Sequence, residues 1–544
     1  MLIILGALAC TPAGLAQRAS AAAAEQHFHR GIALLEKEDT GRAIAELRKA
    51  IELRPGYAEA HNALGLALAR SGDLKQASES FLKAVELDPK LYKAHRNLGR
   101  SLHQMGDLDG AVNAFRQSLS VKADDADTHL LLGVALQQKG MADAAVSAFR
   151  EAIRLNPKMA EARFYLGYLL AAKGELRAAA SEFEATLKLK PDYAEAYYYL
   201  GTARWFSGDA GGAASALRKA VKLMPNHPDS HYYLGLALRK GGDEDLDEAV
   251  EAFRAVVKLK PAFIQAYIEL GLALVSKRDP EGAVSTFNEA LRLDPNNTVA
   301  HHNLGMAFIQ KSDYDAAVAQ YRKLIEIAPG SAEAHYNLGL ALKNKDLFDE
   351  AVVELKRAIA LLPSLYEAHY TLGVILLQQG KLDESAASFR AALGAKPDYA
   401  EARYALGTVL QQQGDLTGAI AAFHEALKYA PNAPEIHNTL GTALRQKGDM
   451  EAARVEFQEA ARLNKKKSDM QAAMFAINTG LARLKEGNLD AAIERFRAAA
   501  GLAPDDAMAH YHLARALLQK GLRKAAEAEY RKAKQLDPRL KPLM

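Results

Sequence analysis

Two stretches of this chain repeat one arrangement of apolar and polar residues: AEAHNALGLAL at 58–68 and AEAHYNLGLAL at 332–342. Counted from the first Ala, positions 4, 7, 8 and 11 share one face at 3.6-residue spacing, which predicts a helix buried on that side. Positions 20, 24 and 27 form a second such face and predict a second helix. Gly followed by Asp or Asn often stands between them at positions 15 and 16, as in Gly72-Asp73, Gly414-Asp415 and Gly487-Asn488. Gly there supplies the left-handed residue that ends the first helix, and Asp suits the turn into the second. Pro at position 32 stops the second helix before the next unit begins. The expected unit is an antiparallel pair of short helices.

The unit recurs. Position 8 falls at Gly31, Gly65, Gly99, Gly133, Gly167, Gly201, Gly235, Gly271, Gly305, Gly339, Gly373, Gly407, Gly441, Gly480 and Ala514, at intervals of 34 except for one of 36 and one of 39. Fifteen repeats therefore cover residues 24–540. Leu occupies position 7 in 13 of them, and position 20 is Ala everywhere but Ser385. Position 24 is always Phe, Tyr or Leu, and position 32 is Pro except at Ala123 and Lys465. Small residues at 8 and 20 let two backbones approach, and the ring at 24 fills the space above them. Such a pair cannot bury its apolar faces alone, so neighbouring pairs must stack.

Leu-Gly, then Ala, an aromatic residue, Ala and Pro at these spacings closely resemble the tetratricopeptide repeat, over about 95% of the chain. The resemblance implies an all-α, right-handed superhelical solenoid whose first helices line a concave groove. Position 4, often Trp in the family, is His in ten repeats here, as in His61, His335 and His437.

Two irregularities stand out. Repeat 7 carries two extra residues within GGDEDLDEA (241–249), which lengthen the turn between its helices. Repeat 13 ends LNKKKSDMQ (463–471), with Lys465 in place of Pro and five residues added, and Thr479 and Arg483 take normally apolar positions in repeat 14. The expected organisation is an N-terminal segment at 1–23, repeats 1–13 at 24–467, an irregular joint at 468–472 able to act as a hinge, repeats 14–15 at 473–540 and a tail at 541–544. Lys465, Lys466 and Lys467 offer themselves to an acidic partner or to solvent.

Composition narrows the function. Formal net charge is +3, from 69 Lys and Arg against 66 Asp and Glu, which argues against a nucleic-acid grip built on a clustered basic excess. A single cysteine, Cys10, excludes an internal disulfide and a Cys-based zinc site. The opening MLIILGALACTPAGLAQ is too short an apolar run to span a bilayer. Its length and small-residue ending suit a secretory signal, although no Lys or Arg precedes the run and a lipid-accepting Cys10 is only loosely matched. The expected location is periplasmic or secreted, with the cytoplasm as alternative. Membrane contact is expected only through that signal or anchor.

No phosphate-cradling loop, dinucleotide fingerprint or Gly-x-Ser-x-Gly motif is present. Histidines one per repeat sit about 8–10 Å apart, too far to share an ion that needs nitrogens within about 2.1 Å. No catalytic, metal or cofactor site is expected. By analogy with the family, positions 2, 5, 9, 12 and 13 face the groove. Position 5 carries Phe28, Phe164, Tyr198, Tyr232, Tyr336, Tyr370, Tyr404 and Tyr511, and position 12 carries Trp205, Arg239 and Lys343. Aromatic rings and Arg are the residue types enriched at binding hot spots. The partner-binding candidates are thus Tyr198, Trp205, Tyr232, Arg239, Tyr336, Lys343, Tyr370, Tyr404 and Tyr511, with Tyr197, Tyr199 and Tyr233 completing a cluster in repeats 6 and 7. The same rings could instead fill the space between adjacent first helices. Frequent Glu at position 2 and Gln at 13 predict a polar, mixed groove suited to a protein or extended peptide. Family members that clamp a chaperone's C-terminal carboxylates carry Asn at position 9, and no repeat here does.

The expectation is a non-enzymatic scaffold working through its concave groove, placed in bacterial envelope assembly or secretion. A second reading is a substrate-binding array related to protein O-GlcNAc transferases but without a catalytic domain, suggested by Asn97, Asn303, Asn337 and Asn478 at position 6. A third is a structural part of a polysaccharide export machine.

Overall fold

A computed structural model describes residues 12–543, with side chains from Arg18 onward apart from that of Asp243. The apolar run, Cys10 and both ends of the chain lie outside the described residues. From Pro12 the chain is helical, and the first helix of repeat 1 spans Pro12–Glu36.

The repeat predicted from the spacing forms as a helix pair. In repeat 2 the helices are Ala58–Arg70 and Leu74–Leu87, and lengths of 13 and 14 residues recur in most repeats. Gly72 has φ +89°, and the Asp73 and Gly72 amides bond back to the Leu68 and Ala69 carbonyls, closing the first helix. Asp73 then caps the second helix, its carboxylate accepting from the Gln76 amide at 3.0 Å. Asp107, Asp209, Asp279, Asp313, Asp415 and Asp449 do the same, a more specific role than a turn former.

Position 8 needs glycine. A Cβ on Gly65 would stand 2.6 Å from the Phe81 ring of position 24, and other repeats repeat that contact. Phe81, Phe115, Phe149, Phe183, Phe253, Phe287, Phe389, Phe423 and Phe496 are fully buried or nearly so, with Ala at position 20 beneath each except Phe389, which has Ser385.

The chain divides into two compact units at Pro295/Asn296, in the turn that closes repeat 8. The first holds eight pairs, ending with Pro280–Leu293, plus a short 3-10 turn at Asp243–Asp245 where repeat 7 carries its two extra residues. The second holds seven repeats in thirteen helices, from Thr298–Gln310 to Arg523–Leu536. Within each unit every helix packs on the next in sequence. The first helices of successive repeats also touch one another, whereas the second helices splay apart. First helices therefore form the inner face of each solenoid.

One helix is missing from that count because the expected joint is itself helical. Residues 463–472 lie inside one 36-residue helix, Met450–Lys485, which fuses the second helix of repeat 13 to the first of repeat 14. No Gly or Pro occurs between Met450 and Thr479. Lys465 keeps the amide that Pro would have removed, and Ala, Lys, Gln and Met favour continuation.

Candidate protein-binding face

Position 4 sits where each repeat meets its predecessor, and its histidines are used inside the fold. The His61 ring bonds to the Pro55 carbonyl at 3.0 Å, and His95 and His369 make the same contact with Pro89 and Pro363. The other ring nitrogen of His335, His437 and His510 lies 2.6 Å from a carboxylate of Glu354, Glu456 and Glu529 at position 23. One side chain thus ties its own second helix to the preceding turn. The sequence signal for this, Glu at position 23 wherever the pair forms, was visible but unread.

Position 5 is a seam position rather than an open wall. Tyr198 packs on His227 at 4.9 Å, Tyr232 on Phe263 at 5.2 Å and Tyr370 on Tyr399 at 5.1 Å, in each case the residue just before the next repeat's first helix. Phe28–Tyr57 and Phe164–Tyr193 repeat the contact. Tyr404 bonds through its hydroxyl to Thr439 at 3.0 Å and rests on Phe423. Tyr336 is half-buried beside Thr371. Burial pushes the phenols of Tyr198, Tyr336 and Tyr370 up, and that of Tyr232 up to about 12. These rings fill space between repeats, so Tyr198, Tyr232, Tyr336, Tyr370 and Tyr404 hold the wall rather than project from it. Tyr511, in the last repeat, is half-buried against Tyr530 and has Arg515 over its ring. Arg239 is spent on Glu269, a buried carboxylate 2.8 Å away that also accepts from Gln265. Lys343 is half-buried and has no ion-pair partner among the described residues.

What does project lies beside these seams, on the first helices of repeats 5 to 7. Phe206 at position 13 is 61% exposed and Tyr168 at position 9 is 38% exposed. Tyr168 meets Tyr199 edge-on at 5.4 Å, and Phe206 meets Tyr233 at 5.7 Å. Tyr199 and Tyr198 stand 5.0 Å apart, and Tyr198 and Tyr233 6.4 Å apart. Trp205, half-buried, carries the Lys240 ammonium 5.5 Å above its ring. The result is a continuous aromatic strip, Tyr168–Tyr199–Tyr198–Tyr233–Phe206, with Trp205 and Lys240 alongside. The structure thus unites Tyr198, Tyr232 and Trp205 with Tyr168 and Phe206, which the sequence reading passed over. Phe206 stands where Gln is usual, and that departure was its signal. Rings already packed edge-on lose little freedom when a ligand covers them.

Of the position-6 asparagines, three point inward or along their own helix and Asn478 is exposed. Asn97 is buried and donates to Asn62 at 2.9 Å, Asn337 is buried, and Asn303 donates to the Val299 carbonyl. Among the described residues no cluster of His, Cys, Asp and Glu is arranged to hold a metal. No described helix is long and apolar enough to cross a membrane.

Family profiles described as tetratricopeptide repeat match residues 28–92, 130–194, 170–228, 198–245, 243–298, 404–470 and 477–540, and related ones match 99–140, 305–346 and 374–414 among others. No curated protein is significantly similar to the chain. Among solved structures, YrrB, described as a protein of this repeat class with an unusual peptide-binding site, is 24% identical over 35% of this chain and 98% of its own, with a TM-score of 0.34. MamA is 29% identical over 31% and 91%, with a TM-score of 0.30. Yeast Tom70 is 20% identical over 80% and 96%, with a TM-score of 0.34.

Proposed function

Because this chain belongs to the tetratricopeptide repeat family, a scaffold fold for protein–protein contact, we propose that it is a non-enzymatic scaffold holding an extended peptide segment of a partner on the first helices of repeats 5 to 7. The aromatic strip ending in Phe206 carries this reading. It combines two exposed rings, Tyr168 and Phe206, with half-buried rings behind them and a tryptophan beneath a lysine. Binding hot spots favour large rings held in place by their surroundings. Polar neighbours such as the Arg239–Glu269 pair set register rather than affinity.

The test is panning of a displayed random-peptide library on the full chain. Selected peptides are expected to bind the parent and to lose at least about tenfold in affinity, about 1.4 kcal/mol, on Trp205→Ala/Phe206→Ala, with the helical circular dichroism unchanged. Equal affinity for that variant, or no peptide selected, overturns the assignment. The apolar opening of the sequence supports placing the scaffold in the bacterial periplasm, in envelope assembly or secretion. Recovery of the full chain only in the cytoplasmic fraction would reject that placement.

A further inference from the structure

The fused helix Met450–Lys485 turns outward a face that other repeats bury. Position 3 is Ala in most repeats, with Thr128, Ser230 and Ile436 as variants, and from repeat 2 to 13 and again in repeat 15 it is fully or almost fully buried. In repeat 14 that position is Phe475, and it is 73% exposed. Continuation of the preceding helix sets a different rotation, so that Ala473, Ala476, Ile477 and Gly480 face the core instead. Met474 and Met470, one helical turn apart, are 58% and 51% exposed. Lys467 continues the stripe one turn earlier.

Two recesses flank the helix where a repeat-ending turn is missing. One, about 770 Å³, lies between Lys465, Lys466 and Met470 and the turn Leu502–Ala503–Pro504. The other, about 660 Å³, lies between Lys466, Lys467 and Met470 and the turn at 430–434. Each recess mixes apolar and charged walls: Asp469, Asp505 and Asp506 share the first with Leu502, Ala503 and Pro504, and Glu435 shares the second with Leu463 and Pro431. Charge is one-sided. From residue 460 to 485 the helix carries one acid, Asp469, against Arg462, Lys465, Lys466, Lys467, Arg483 and Lys485. Arg462 and Arg483 pair within the helix region with Glu459 and Glu486, and Lys466 reaches Asp505 only at 3.8 Å. Asp506, on the rim, is occupied in capping the next helix. Lys465 and Lys467 have no acidic partner among the described residues.

We propose that this face is a second docking site, independent of the aromatic strip, for an acidic amphipathic helix of a partner protein. Apolar side chains of that helix cover Met470, Met474 and Phe475 and enter the recesses, and its carboxylates meet Lys465 and Lys467. Methionine adapts to varied apolar partners, and lysines at the rim supply steering and selectivity.

The test uses the full chain and a labelled synthetic peptide of about five helical turns, with Leu at helical spacing and Glu beside it, followed by fluorescence anisotropy. Binding is expected to weaken at least about tenfold with Lys465→Glu/Lys467→Glu and again with Met474→Ser/Phe475→Ser, and to stay unchanged with Trp205→Ala/Phe206→Ala. A peptide with Lys in place of Glu is expected to prefer the Lys465→Glu/Lys467→Glu chain, which keeps the test valid because gained binding requires a folded site. No binding by the parent, or binding by Lys465→Glu/Lys467→Glu or by Met474→Ser/Phe475→Ser as tight as the parent's, overturns the proposal. So does flotation of the parent with phosphatidylglycerol vesicles at concentrations where the acidic peptide does not bind.

Discussion

Single residues in this protein are fixed by what the repeat demands of them. Gly65 shows the steric case. A methyl group there would overlap the Phe81 ring, so Gly65→Ala is expected to cost about 1–3 kcal/mol, read as a lower thermal midpoint with the repeat pattern otherwise intact. Position 15 shows the conformational case. Where glycine is absent, Glu38, Arg278, Ser312 and Asp346 hold φ between 59° and 61°. A left-handed backbone costs about 1 kcal/mol for a residue with a side chain, partly offset by the entropy that glycine loses. Ser312→Gly or Asp346→Gly is therefore expected to be neutral or stabilising, whereas glycine inside a helix destabilises. The position-23 carboxylates show the electrostatic case. His27 bonds to Glu46 and holds its carboxyl below the ordinary value of 4.5. Burial pushes Glu529 up, but hydrogen bonds from His510 and Lys532 outweigh it and the net is also down. A carboxyl lowered by folding contributes stability in full above its unfolded value and loses it as pH falls through the folded one. Hydrogen-exchange protection factors in repeats 1 and 15, corrected for the intrinsic pH dependence of exchange, are expected to fall below about pH 4.5, and Glu529→Gln to flatten that response in repeat 15. An unchanged slope would show the pair to be inert.

At the scale of elements, one substitution decides whether a repeat boundary exists. Pro at position 32 interrupts the chain in thirteen repeats, and its carbonyl then serves the next histidine or arginine, as Pro431 serves His437 and Pro397 serves Arg403. Lys465 does neither, and two helices become one. Lys465→Pro is expected to split that helix, at a cost of about 3 kcal/mol or more, with faster tryptic cleavage after Lys466 and Lys467 and lost helical signal. Cleavage no faster than in the parent would mean that the fused helix is already open in solution. Neighbouring repeats are also laced at the surface: Lys139, Lys173, Lys345 and Lys520 each reach the Asp near the start of the preceding second helix, Asp109, Asp143, Asp315 and Asp490. These exposed pairs contribute little individually, and stacking of buried faces holds the repeats together.

At the scale of the whole molecule, function belongs to surfaces that repetition builds and local departures mark. Both faces singled out here arise where a repeat breaks its own rule: Phe206 in place of Gln, Phe475 in place of a small buried residue. They lie in different compact units, repeats 5 to 7 in the first and the fused helix in the second. A scaffold with two such faces is expected to bind two ligands without competition, so saturating one site with its peptide should leave anisotropy at the other unchanged. Competition between the two would place them on one surface and contradict the assignment.

The period of 34, the paired helices, the Gly–aromatic contact and the left-handed turn were all legible in the residues, because each rests on local geometry that any member of the series must satisfy. Three matters depended on neighbours in space. The position-5 rings read from sequence as groove residues, yet the turn before the next repeat closes over them, and no spacing within one repeat reveals that. The stretch at 463–472 read as a joint because the pattern failed there. Helix propensity, unopposed by any Pro or Gly, carried the backbone straight through. Finally, a change in helix rotation set which face of repeat 14 meets the core, since the axis of a fused helix is dictated by packing at both of its ends and not by the residues it turns outward.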